Sequence, residues 1–136
     1  MANLSDYFEN AIINQMRNTL GPQVDAYVAL FTGAAATALE DDNPTTEVTG
    51  GDYGRQPAGL IAPTNGVSEN GSEITFPTAT ASWGEVTHVA LVNDVSDADW
   101  GNTAHVLMWS ALDSSKTIDT DDVFKINAGE LDVTIT

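Results

Sequence analysis

The chain offers few side chains that could carry out a reaction, and their spacing matches no recognised active site. Two histidines, His88 and His105, fall in segments with strand-like patterns, so they could meet across a β-sheet. Serine and aspartate are plentiful, but no Gly-x-Ser-x-Gly turn is present to hold a nucleophile. The absence of cysteine excludes disulfides, thiolate metal sites and thiol nucleophiles. We therefore predict that the protein is not an enzyme, with no catalytic residue and no cofactor.

Acidic loop segments offer the most arguable metal ligands. Asp94, Asp97 and Asp99 in one loop, and the acidic stretch 119–122 in another, supply the carboxylate oxygens that Ca²⁺ prefers. Neither segment has the Gly at the sixth and the Glu at the twelfth position of an EF-hand loop. In so acidic a chain, such clusters are expected as solvated loops. We predict no metal site and keep Asp94, Asp97 and Asp99 as the candidate ligands.

Tryptophan side chains are the next candidates, because an exposed indole can stack on a sugar or anchor a partner. Trp83 and Trp100 each precede a glycine in a loop. They could be exposed anchors, although loop tryptophans more often plug the end of a β-sandwich, and the second interpretation is favoured. Trp109 lies in an apolar run and is predicted to be core.

A glycine-rich segment, residues 50–56, has some likeness to a phosphate-binding loop. It lacks the lysine, the Gly-x-Gly-x-x-Gly spacing and the strand-to-helix context that such a loop needs. We predict instead a flexible loop that enters a strand, with Arg55 paired to one of the many carboxylates.

The charge of the chain is strongly negative. Twenty acidic residues face four basic ones, for a net charge of -16, while hydrophobic residues still make up 42% of the chain, which is typical of a folded protein. Nucleic acids and anionic lipids are bound through Lys and Arg, and the four basic residues are scattered. We therefore predict no nucleic-acid partner. No segment approaches the roughly 20 apolar residues of a membrane span, so no membrane partner is predicted either.

The acid excess also bears on the medium in which the protein works. Self-repulsion of like charges destabilises a compact state, and concentrated salt screens that repulsion. The composition would thus suit a very salty medium, with a moderately acidic mesophilic surface as the alternative.

The start of the chain predicts one amphipathic helix, about residues 5–20. Ser5 can cap its start, and Gly21 followed by Pro22 would end it. Its apolar residues recur every four positions, at Leu4, Phe8, Ile12, Met16 and Leu20.

The remainder of the chain has the pattern of β-strands. The run Val24–Thr32 is almost continuously apolar, as in a strand buried on both faces. Short strand-like segments follow, and Gly33–Asp52, Pro77–Gly84 and Asp94–Thr103 are predicted to be loops. Tight turns are predicted at Gly50-Gly51, Asn65-Gly66, Asn70-Gly71 and Asn127-Ala128-Gly129. The further strands are predicted at Gln56–Ala62, Gly66–Glu69, Glu73–Phe76, Val86–Asn93, Ala104–Leu112, Asp122–Ile126 and Leu131–Thr136.

These elements predict a mainly β protein with antiparallel strands. The expected architecture is an antiparallel β-sandwich or jelly-roll-like barrel with one N-terminal amphipathic α-helix. At 136 residues the chain is expected to form a single domain, residues 1–136, with the β-sandwich over about residues 24–136.

Several short motifs follow one another along the chain: Asn3-Leu4-Ser5-Asp6-Tyr7 with Glu9-Asn10-Ala11, Tyr27-Val28-Ala29-Leu30-Phe31-Thr32, Glu47-Val48 with Gly50-Gly51, Tyr53 followed by Arg55-Gln56, Ile74-Thr75-Phe76-Pro77 with Ala79-Thr80-Ala81, Trp83-Gly84 with Val86-Thr87-His88, and Ala128-Gly129-Glu130-Leu131. In this order they resemble a family of small structural proteins of tailed viruses, whose members are described as tail-fibre-like or head-decoration proteins. The resemblance covers the chain from its first helix to about His88, and again near Leu131. This chain is far more acidic than the family it resembles, and Asp97–Thr103 is an expanded loop. Both features suggest a virus of a salty habitat, such as one that infects haloarchaea.

The resemblance implies a virion structural protein. The favoured interpretation is a capsid decoration or cement protein that binds the major capsid protein, or other virion proteins, on the outer surface of the virion after assembly in the host cytoplasm. A homo-oligomer, trimer or dimer, is expected. The alternative is a tail-associated or tail-fibre, receptor-binding module. The loop Gly33–Asp52 and the N-terminal helix are expected to make contacts, and the candidate interface residues are Glu47, Tyr53, Arg55, Trp83 and Trp100.

Overall fold

The fold is described from a computed structural model, which covers residues 3–17 and 26–135. Over these residues the chain forms two helices and nine strands, most of them short. In chain order they are β1 (Asn3–Leu4), α1 (Asp6–Arg17), β2 (Tyr27–Thr32), α2 (Ala36–Glu40), β3 (Gln56–Pro57), β4 (Val67–Glu69), β5 (Ile74–Thr75), β6 (Gly84–Val92), β7 (Val106–Ile118), β8 (Lys125–Ile126) and β9 (Asp132–Thr134).

The strands form one five-stranded sheet and two small ones. The large sheet has the order β1-β7-β6-β2-β3, and β4-β9 and β5-β8 form two-stranded sheets. Each of these strand pairs is antiparallel. The prediction of a mainly β protein with antiparallel strands is confirmed. The sandwich or jelly-roll arrangement is not confirmed, since the small sheets do not form a second complete layer.

Both faces of the large sheet are covered, and β2 shows why. Side chains alternate between the two faces of a strand, so Val28 and Leu30 point into one core while Ala29 and Phe31 point into the other. The first core is filled by the segments around β5 and β8, and the second by α2, whose Leu39 is fully buried. The predicted burial of this strand on both faces is therefore confirmed for Tyr27–Phe31.

Helix α1 starts as the sequence predicts. The buried Ser5 hydroxyl accepts a hydrogen bond from the Phe8 amide (3.2 Å), which caps the helix, and donates to the Val106 carbonyl on β7. Tyr7 stacks flat on the His105 ring with centroids 3.6 Å apart. These contacts attach the first turn of the helix to β7. The predicted end near Leu20, and the Gly21-Pro22 stop, lie outside the described residues.

The loop prediction for Gly33–Asp52 was wrong in part. The segment contains α2, and Glu47 forms a β-bridge with Phe31. The alanine-rich stretch 34–39 favours helix, and burial of Leu39 against the sheet stabilises it. The conformation of this segment is thus fixed by its own packing.

Three further expectations in the turns and strands were wrong, while one predicted turn is confirmed. Asn65 and Gly66 have φ of 53° and 79°, as the predicted hairpin turn requires. Asn70-Gly71 makes no such turn, since neither residue has a positive φ; the buried Asn70 side chain donates to the Asn127 carbonyl (2.9 Å) and accepts from the Leu131 amide (2.9 Å). The predicted strand Gln56–Ala62 is reduced to β3, whereas β7 extends to Ile118 instead of ending at Leu112.

Candidate interaction sites

A buried arginine connects two loops at one end of the large sheet. The Arg55 guanidinium makes a two-pronged pair with Glu47, with Nε to Oε1 and Nη2 to Oε2 both at 2.7 Å. Its Nη1 donates to the Asp94 and Asp97 carbonyls at 2.8 and 2.9 Å, and the group lies 4.9 Å from the centre of the Trp100 ring. Arg55 is only 6% exposed. The predicted pairing of Arg55 with a carboxylate is confirmed.

The Tyr53 side chain links β2 to the ion pair of Arg55 and Glu47. Its hydroxyl accepts from the Leu30 amide (3.0 Å) and donates to Glu47 Oε1 (3.0 Å). Burial, with the nearby Glu47 carboxylate, raises the pKa of Tyr53 well above its ordinary value. The hydroxyl therefore stays protonated and donates its hydrogen bond to Glu47.

Trp83 is part of the core, as the favoured interpretation predicts. The side chain is 5% exposed, packs edge-on against Tyr53 (centroids 5.4 Å apart), and donates from Nε1 to the Gly51 carbonyl at 2.9 Å. Gly51 has a φ of +57°, and a Cβ atom there would lie 2.8 Å from the Ala81 carbonyl oxygen. Trp83 has no face free to stack on a sugar, and Trp100 is half-buried beside the Arg55 guanidinium.

Three of the candidate interface residues line one surface cleft. The cleft has a volume of about 330 Å³ and lies between the loop that carries Glu47, Tyr53 and Arg55 and the loop at residues 95–98. Val95, on its wall, is 50% exposed. We call this the loop cleft. Because Arg55 bonds to both of its walls, the geometry of the cleft is fixed.

The three candidate calcium ligands serve their own loop. Asp94 Oδ1 accepts from the amides of Ser96 (2.8 Å) and Asp97 (2.7 Å), and Asp97 accepts from the Asp99 amide (2.9 Å) and the Thr103 hydroxyl (2.6 Å). Within residues 3–17 and 26–135, no group of three potential ligands is placed to hold a metal ion. The carboxylates fasten the expanded loop.

These hydrogen bonds predict a loss of stability in acid. The amides of Ser96 and Asp97 lower the pKa of Asp94, and the Thr103 hydroxyl does so for Asp97. Their stabilisation is present above the unfolded value, about 3.9, and is lost as the pH falls through the lower folded pKa, since the unfolded state binds more protons there. We expect the free energy of unfolding to decrease as the pH is lowered below about 4. The decrease should be less steep in the double variant Asp94→Asn, Asp97→Asn. Equal slopes in urea titrations at several pH values would contradict this assignment.

The two histidines do not meet. His88 lies on β6, and its Nδ1 is 2.8 Å from the Thr87 hydroxyl. His105 directly precedes β7, and its Nδ1 is 2.7 Å from Asp42 Oδ2. The His105 carbonyl accepts from Asn93, five residues beyond His88, so the two lie roughly 16 Å apart along the sheet at 3.3 Å per residue. The possible meeting of the two rings across the sheet is not observed.

A second cleft contains both lysines of the chain, which sequence reasoning treated as scattered. Lys116 at the end of β7 and Lys125 on β8 both line a depression of about 430 Å³. Its apolar floor includes Val89, Phe124 and Leu131. We call it the lysine cleft. The available signal was the rarity of lysine, two residues in 136, but the packing of Phe124 beside Lys116 was needed to place the two lysines at one cleft.

A β-rich chain whose polar side chains mainly fasten its own loops is typical of a structural or binding protein. Residues 3–134 match the family described as podophage GP4 fiber I protein gp80, and the chain belongs to this family of tailed-virus structural proteins. No curated protein matches the chain. No helix in the described part of the chain is long and apolar enough to span a membrane.

Proposed function

We propose that this protein is a tail-associated structural component, part of a fibre, on the outer surface of a tailed-virus particle. The observation that carries the proposal is the family match, which spans residues 3–134 and is described by a podophage fibre protein. We propose a role in binding rather than catalysis, since His88 and His105 each contact different structural partners.

The family match supports the alternative better than the favoured sequence interpretation. A capsid decoration or cement protein was expected, but the matching family is described by a fibre. The alternative, a tail-associated or fibre module, fits this description better. A fibre module could bind sugars through exposed tryptophan rings, but Trp83 cannot serve in this way because its side chain is buried.

We place the contact with a neighbouring virion protein, or with a second copy of this chain, at the loop cleft. Glu47 and Tyr53 line it beside an exposed apolar side chain, Val95. A contact surface that is already ordered loses less conformational entropy on binding. The Arg55 bonds to Glu47 and to the Asp94 and Asp97 carbonyls supply that order. Arg55 and Trp83 then act on the contact by positioning the loops.

A charged residue on the wall of the loop cleft tests this proposal. We expect Val95→Lys to lower the amount of the protein in purified particles at least tenfold, because an ammonium would be buried in the contact. The matched control is Val123→Lys, an exposed valine (40%) that does not line the loop cleft. Quantitative mass spectrometry of particles gives the readout. Equal incorporation of the two variants would overturn the assignment of the loop cleft.

A saline habitat is the second part of the proposal. Twenty carboxylates on a chain with two lysines repel one another strongly in dilute buffer, and concentrated salt reduces that repulsion. The charge therefore supports a virus of a salty environment.

A further inference from the structure

The lysine cleft differs in charge from the rest of the molecule. The chain has only four basic residues. Of the two arginines, Arg55 is buried in its pair with Glu47, and the side chain of Arg17 lies outside the described residues. Lys116 and Lys125, the two lysines of the chain, line the same cleft and are exposed. Because Asp113 and Glu130 also line it, the cleft is close to neutral by charge count, in a chain whose net charge is -16.

The wall of the cleft is built by an irregularity in the large sheet. Between the pairs Val86↔Lys116 and His88↔Ala111, a single residue of β6 stands opposite residues 112–115 of β7. This large bulge, with four residues opposite one, places Asp113 and Ser114 on the rim of the cleft. Bulges of this kind re-aim side chains and recur beside binding sites. The opposite rim is the turn that carries Glu130.

The two lysines are held loosely enough to accept a ligand. Lys116 Nζ lies 5.8 Å from the centre of the Phe124 ring, above the apolar floor. Lys125 Nζ lies 3.4 Å from Glu73 Oε1, and its side chain is 52% exposed. An exposed ion pair contributes little free energy. An incoming anion can therefore replace Glu73 as the partner of Lys125 at little cost.

We propose that the lysine cleft binds an anionic saccharide, a sugar ring that carries a carboxylate or a phosphate. The apolar floor fits the C–H face of a sugar ring, and Lys116 and Lys125 fit its anionic group. Asp113, Ser114 and Glu130 on the rim supply acceptors for its hydroxyls. The volume of about 430 Å³ falls within the range of small-ligand pockets.

The size and shape of the cleft favour a small ligand over a second copy of the chain. A stable protein interface buries roughly 800 Å² on each partner, whereas this site is a single concave depression. Its rim alternates acids and lysines, which suits a ligand with both hydroxyls and a charge better than a plain polyanion. Saccharide binding at this cleft would add a ligand-binding role to the proposed fibre component. It is tested on the purified protein, so its failure would leave the tail location unaffected.

Matched sugars test the proposal. Glucuronic, galacturonic and mannuronic acids, the corresponding hexose 6-phosphates and the neutral hexoses would be titrated into the isotopically labelled protein. We expect at least one anionic sugar to shift the amide signals of Phe124, Ile126 and Leu131, and its neutral counterpart to bind at least tenfold more weakly. The carboxylate and phosphate series show which anion is preferred.

Two double variants separate charge from folding. Lys116→Gln with Lys125→Gln should weaken binding of the anionic sugar at least tenfold, and Lys116→Arg with Lys125→Arg should retain it; circular dichroism verifies that both fold. No binding by any anionic sugar, equal binding of neutral sugars, or undiminished binding by the glutamine variant would overturn the proposal. Dissociation of an oligomer in the glutamine variant, without sugar binding by the parent, would assign the cleft to a second copy and would also overturn it.

Discussion

Replacing Arg55 with methionine is expected to lower the free energy of unfolding by about 3–5 kcal/mol, the usual effect of removing one partner of a buried ion pair. The change leaves the Glu47 carboxylate, largely buried, without its cation. It also removes the donor to the Asp94 and Asp97 carbonyls, so the expanded loop loses its attachment. Urea unfolding followed by tryptophan fluorescence measures the effect.

A paired variant distinguishes the loss of the ion pair from the loss of packing. In Arg55→Met with Glu47→Leu no charge is left unpaired, so the double variant should be more stable than Arg55→Met alone. Arg55→Lys retains the charge but not the two-pronged geometry, and its stability should lie between the wild type and Arg55→Met. A loss below about 1 kcal/mol in Arg55→Met, the range of exposed pairs, would show that the pair does not hold the loops.

Trp83→Ala is expected to cost about 3–5 kcal/mol, as large-to-small changes in a core do. The indole fills the space between Tyr53 and Phe76, with ring centroids 5.4 and 6.4 Å away. Its removal also leaves the Gly51 carbonyl without its donor. Thermal unfolding by calorimetry, combined with urea titration, measures the loss.

The matched comparison is Trp100→Ala. Trp100 is half-buried and lies beside the Arg55 guanidinium, so its truncation should cost less than that of Trp83. Trp83→Phe should cost an intermediate amount, because it retains much of the ring packing but not the donor. If Trp83→Ala were as stable as the wild type, the tryptophan would not be a core residue. The hypothesis that Trp83 is an exposed anchor would then be favoured again.

The strand pattern predicted the fold where burial follows local periodicity. The run of apolar residues at Tyr27–Phe31 indicated a strand covered on both faces, and β2 lies inside the large sheet with a core on each side. Ser5 was likewise predicted to cap the first helix, and it accepts from the Phe8 amide. Both features depend on residues close in sequence, which is why composition and spacing were sufficient.

Features that depend on distant residues could not be predicted in this way. Asn70-Gly71 has the composition of a tight turn, but Asn70 is used to connect two segments through Asn127 and Leu131. The helix α2 was missed although its alanine-rich sequence favours helix, because five residues are too few for a stable helix on their own and α2 depends on Leu39 packed against the large sheet. Local propensity does not show which distant residues Asn70 and Leu39 contact.

The candidate sites show the same division. Pairing of Arg55 with a carboxylate followed from the acid excess, but the choice of Glu47 depends on its bridge to Phe31. The three loop aspartates were offered as possible metal ligands by residue type alone, which gave no sign that Asp94 and Asp97 accept hydrogen bonds from the amides of their own loop. The two lysines are nine positions apart, on strands of different sheets, and line one cleft because the segment with Phe124 and Lys125 packs beside Lys116.

The central claim, that this protein is a tail-associated component of the virion, is tested most directly by locating it on the particle. Cryo-electron microscopy of purified virions, with an antibody fragment against the chain as a marker, gives that location. We expect marker density on the tail or its fibres and none on the capsid lattice. Density distributed over the capsid surface, or particles that lack the chain altogether, would contradict it.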